Sequence, residues 1–124
     1  MAIRSQFIKT PGIETYRHYI ILQRMIQERI RATLQGDSFA DKSLFYATQF
    51  LEVPHNYQRE EDIKKYIMSE AKEILAAFKK FESSPEYAED IRLLKQYEGS
   101  IFNITSITTS GIQVLIDTED EKVA

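Results

Sequence analysis

Between Arg59 and Phe81 the apolar residues Ile63, Ile67, Ala71, Ile74, Phe78 and Phe81 recur at steps of three and four, the spacing that lines one side of a 3.6-residue helix. Lys64, Lys65, Lys72, Glu73, Lys79 and Lys80 fill the rest of the cylinder, so the pattern predicts an amphipathic helix with one buried face and one charged face. Glu60, Glu61 and Asp62 in its first turn and Lys79 and Lys80 in its last each sit where the helix dipole favours their sign.

The same reading extends in both directions. Thr10-Pro11 is a helix entry, with Thr10 as cap and Pro11 at the first helical position, where its missing N–H is no loss. The helix is expected to run to about Gln35, with Tyr19, Leu22, Ile26, Ile30 and Thr33 as inner stripe and Gly36 as stop. Ile21 and Met25 widen that stripe and are candidates for a second surface facing a partner. A second, aromatic helix is predicted over Phe39–Leu51, ended by Pro54. After the organising helix, Ser83-Ser84-Pro85-Glu86 restarts the chain, and Tyr87, Ile91, Leu94 and Tyr97 carry a new stripe. So short a turn predicts an antiparallel αα-hairpin over 59–98.

From Ser100 to Ile116 no residue is charged and β-branched residues abound. The positions Leu94, Tyr97, Ile101, Ile104, Thr108, Gly111 and Leu115 continue a 3-4 spacing, while alternation fails at Ile101-Phe102 and at Val114-Leu115-Ile116, so the favoured reading is a helix. The rival is a hairpin of Ile101–Ile107 and Ile112–Ile116 around Thr109-Ser110-Gly111. The fold class expected is therefore all-α, a single domain over 1–124 built as a bundle of four to five helices, with an N-terminal arm at 1–9 and a polar tail at 118–124. The alternative is an α-rich fold with a C-terminal β-hairpin at 101–116.

Composition narrows the function. The 124 residues are 43% hydrophobic and 28% charged, ordinary values for a folded chain. A net charge of -3 lacks the basic excess that binding to phosphate backbones requires, which disfavours nucleic acid. Without cysteine there is no disulfide or thiolate chemistry, which fits a reducing cytoplasm. No apolar run approaches the length of about 20 residues that a membrane-spanning helix needs.

The chemical candidates are few. Glu52-x-x-His55 has the spacing of a di-iron half-site, but Pro54 interrupts the helix that geometry needs. Glu70-x-x-Glu73 followed by Glu86-x-x-Glu89 resembles the paired acidic motifs of all-α nucleotide pyrophosphohydrolases. That resemblance implies a Mg²⁺ site made by Glu70, Glu73, Glu86 and Glu89 and an activity on nucleotide phosphates. Read as residues alone, the same four are solvated helix charges. Arg17, Arg24 and Arg31 repeat every seven residues and form a possible basic stripe, which Glu14 and Glu28 interrupt. No nucleophile has a histidine partner at a readable spacing, and there is no glycine-rich phosphate loop.

The sequence therefore points to a cytoplasmic protein–protein interaction module without catalysis or cofactor of its own, acting as adaptor, assembly factor, inhibitor or accessory subunit and associating as a homo-oligomer. Ile104, Ile107, Ile112 and Leu115, with Ile21 and Met25, are the expected interface, because 100–117 offers more apolar groups than one stripe can use. The alternatives are the Mg²⁺-dependent phosphohydrolase and a helical nucleic-acid-binding accessory protein.

Overall fold

The structure, a computed structural model, describes residues 2–118. The polar tail expected at 118–124 lies, apart from Thr118, outside the described residues. The organising helix α3 spans Glu60–Glu82 and buries Ala71, Ile74, Phe78 and Phe81. α1 spans Tyr19–Gln35 and starts later than Pro11 predicts. Gly12 takes φ +76°, Ile13–Thr15 make a short 3₁₀ turn, and Tyr16 is extended. α1 ends on Gly36 at φ +79°: the Gly36 N–H donates to the Thr33 carbonyl and the Asp37 N–H to the Ala32 carbonyl at 2.8 Å, which satisfies carbonyls the helix leaves open. The aromatic segment is shorter than expected, with α2 at Ser43–Gln49. α4 covers Pro85–Lys95, and its Tyr87 N–H donates to the Ser84 hydroxyl.

The all-α expectation is overturned after Lys95. The Gly99 N–H donates to the Leu34 carbonyl at 2.7 Å and Gly99 has φ +89°, so the chain turns against the end of α1 instead of continuing as helix. It then forms β2, Phe102–Ile107, and β3, Gly111–Asp117. β1, Ile3–Lys9, where an N-terminal arm was expected, pairs antiparallel with β3. The described residues are thus mixed α/β, four α-helices and a three-stranded antiparallel sheet in the order β1-β3-β2. Two features hid the strands. A bulge between Ile104 and Ser106 shifts the register of β2 and breaks its alternation. The 3-4 spacing had also joined Leu94 and Tyr97, which belong to the core, to Ile101, which is 75% exposed.

The αα-hairpin at 59–98 is corrected too. The tight turn at Ser83-Ser84 forms, but the main neighbours of α4 are β1 and α1, and its contact with α3 is slight. The helices gather on one face of the sheet, where Ile8 of β1 and Ile112, Val114 and Ile116 of β3 join Leu22, Met25, Ile26, Ile30, Phe78 and Leu94 in one apolar cluster.

Candidate functional site

Two places carry more than packing. The first lies where the chain enters α1. Arg17 reaches α3, placing Nη2 at 2.7 Å from both oxygens of Glu70 and 2.6 Å from Glu73 Oε2, while its Nε donates to Glu73 Oε1 at 3.1 Å. His18 Nε2 lies 3.3 Å from Glu70 Oε1. The i, i+3 spacing on α3 aims both carboxylates at the same guanidinium. Hydrogen bonding to Arg17 holds the Glu73 carboxyl below the usual carboxylate range and, in return, raises the Arg17 pKa. One ligand atom each from His18, Glu70 and Glu73 lies within 4.8 Å of the others, a donor set suited to a divalent cation. Here Arg17 already supplies the positive charge. The cleft beside it, about 790 Å³, is lined by Tyr57, Lys65, Tyr66 and Ser69 among others, and its Arg59 is paired with Glu61 and Asp62.

The four-carboxylate site implied by the resemblance does not assemble. Glu70 and Glu73 face Arg17, whereas Glu89 pairs with Arg92 at 2.6 Å, and Glu86 is exposed in the first turn of α4, beside Lys9 and Pro11. Glu52 and His55 are exposed in the segment between α2 and α3. The basic stripe does not assemble either. Arg17 precedes α1 and is bound as described, Arg24 lies over the Phe50 ring at 4.1 Å from its centroid, and Arg31 approaches Glu28 at 3.7 Å. A groove of about 570 Å³ among α1, α3 and α4 has Phe39, Leu75, Phe78 and Ile91 along its walls, and charges of both signs at its rim, Arg29 pairing with Glu82 at 3.6 Å.

The second place is the sheet. Only one of its faces is packed on helices. The register Ile3↔Asp117, Ser5↔Leu115, Phe7↔Gln113, Lys9↔Gly111 and Asn103↔Leu115 puts Ile3, Ser5, Phe7, Asn103, Gln113 and Leu115 together on the opposite face, with the charged Lys9 and Asp117 at its ends. Ile3 is 57% exposed, and Ile101, just before β2, is 75% exposed. Phe7 lies across Gly111, where an added Cβ would meet the ring at 2.5 Å.

The two edges of this sheet differ. β1 has α4 against it, and the Lys9 N–H, which points away from β3, donates to the buried Asp90 carboxylate at 2.9 Å. Among the described residues β2 pairs only with β3. The Asp117 N–H donates to the Ile101 carbonyl, so by the alternation of an antiparallel ladder the amides and carbonyls of Phe102 and Ile104 point away from the sheet. The residues of this strand, Phe-Asn-Ile-Thr-Ser-Ile, include no charge and no proline, two of the devices that guard an edge, while the bulge between Ile104 and Ser106, another such device, confines the regular run to Phe102–Ile104.

Of the expected interface residues, Leu115 stands on the open face and Ile107 is 42% exposed at the end of β2. Ile104 and Ile21 are half-buried against the core. Met25 and Ile112 are fully buried and belong to the core, since the helix stripe and the inner sheet face both point inward there. Sequence reasoning missed Ile3 and Phe7 as surface residues. The alternation of 3–9 is their only signal, and it is blurred by the adjacent pair Phe7-Ile8.

No known protein family, no curated protein and no solved structure matches this chain. Among the described residues no helix is long and apolar enough to cross a membrane.

Proposed function

We propose that this chain is a protein–protein interaction module, working in the cytoplasm without catalysis of its own and within a homo-oligomer, and that it binds through the open side of its sheet. The observation that supports this reading is the uncovered face carrying Ile3, Phe7 and Leu115 beside an uncharged edge strand. Apolar groups left together on one surface mark a contact site, whereas single exposed ones need no explanation. Charged groups elsewhere form pairs with one another, as Arg17 does with Glu70 and Glu73 and Arg92 with Glu89. The phosphohydrolase reading loses its basis because Glu86 and Glu89 stand apart from the Glu70–Glu73 pair. The cysteine-free sequence suits a reducing compartment.

Leu115→Lys tests the proposal. It places an ammonium at the centre of the open face, where the side chain already reaches solvent, so the melting temperature is expected to stay close to that of the wild type. A tagged variant should then lose a protein that the tagged wild type retains from the cells that make it. Retention of the same partner by a folded Leu115→Lys variant would refute the reading.

A further inference from the structure

We infer that the β2 edge is a self-association element, through which two copies join their sheets antiparallel across a two-fold axis at Asn103. The inference rests on the reading of the sheet as the binding surface and names the occupant of its edge. The backbone groups of Phe102 and Ile104 point outward, and the bulge at Thr105 ends the regular run. The register that uses both outward residues of each copy sets Phe102 opposite Ile104 of the other copy and Asn103 opposite itself. It forms ladder hydrogen bonds at Phe102 and Ile104 and brings the exposed Ile101 against the bulge of the second copy.

Charge and closure favour a second copy over a foreign strand. No residue from Gly99 to Ile116 is charged, so two identical edges meet without the like-charge repulsion that blocks most self-pairing, and nothing on β2 selects a charged peptide. At the other edge of the sheet α4 lies against β1, and Asp90 accepts from the outward Lys9 amide. Pairing of β2 with β2 about a two-fold axis uses the β2 edge of both copies, so it gives a closed isologous dimer.

The absence of native cysteine makes the register directly testable. Residues opposite one another at a position of this kind have Cα atoms about 4.5 Å apart, within the disulfide range of about 4.4–6.8 Å. Asn103→Cys should cross-link rapidly under mild oxidant, and Ser5→Cys, equally exposed but on the far strand, should not. Asn103→Lys and Asn103→Asp should each weaken self-association at least about fivefold by placing like charges face to face, and an equimolar mixture of the two should restore it. Wild-type chains that sediment as monomers at every concentration, or Asn103→Cys that cross-links no faster than Ser5→Cys, would overturn the inference. The wider reading is judged separately by Leu115→Lys, whose position on the central strand lies off the edge. If self-pairing fails and that variant still sheds a bound protein, only the dimer is wrong.

Discussion

Arg17 shows how a single side chain can account for a pattern that looked like chemistry. Glu70 and Glu73 have the spacing of metal ligands, yet between them stands a guanidinium that bonds to both, and two carboxylates so close would otherwise repel each other. The consequence is a pH dependence with a definite sign. Glu73 ionises below its ordinary value of 4.5 because of Arg17, so its contribution to stability is present above that value and is lost as pH falls through the lowered pKa. Arg17→Met should be less stable than the wild type near neutrality, by a modest amount because the Glu73 side chain is 52% exposed. The difference should shrink as Glu73 protonates in acid. Urea denaturation at pH 7 and at pH 3 measures it, and a gap that widens on acidification would show that Arg17 stabilises the fold by something other than these ion pairs.

At the scale of elements, Gly111 fixes how β1 lies on β3. A Cβ there would meet the Ile8 carbonyl oxygen and the Phe7 ring at 2.5 Å, and the carbonyl belongs to backbone that cannot swing aside. Gly111→Ala should therefore cost about 1–3 kcal/mol, the usual penalty of overpacking, with the loss read from a chemical melt. An unchanged midpoint would mean that β1 is not held where the structure puts it. This pairing also marks the limit of what the sequence made legible. α3 could be read from its own residues because Ile74, Phe78 and Phe81 repeat locally and its end charges agree with the dipole. The start at Pro85 and the stop at Gly36 were equally local signals. The sheet was not legible in the same way, because β3 gains its first partner from residues more than a hundred positions away, as Arg4↔Ile116 illustrates. β-propensity depends on such neighbours, and the propensity of 101–116 pointed to the hairpin while a coincidental 3-4 spacing pointed to a helix. The candidate surface was half visible for the same reason. Leu115 and Ile107 could be picked out as surplus apolar groups, but which of Ile104, Ile112 and Leu115 face inward is decided by register, and register is set across the chain.

Over the whole molecule the asymmetry is between a closed side and an open one. Helices α1 and α4 pack on the inner face of the sheet around Ile8, Ile112, Val114 and Ile116. Among the described residues no helix covers the outer face or the β2 edge, whereas α4 lies against β1 and its Asp90 accepts from the Lys9 amide. We propose that the bare β2 edge is the one through which this protein associates. Hydrogen exchange resolved to single amides tests that claim most directly. The amides of Ile112, Val114 and Ile116, paired with β1, should exchange slowly under all conditions. Those of Phe102 and Ile104 should exchange fast in dilute protein and slow markedly as the concentration rises or a binding partner is added. If Phe102 and Ile104 are already protected in the dilute monomer, or stay fast at high concentration and with the partner bound, then the β2 edge is not the surface through which this protein associates.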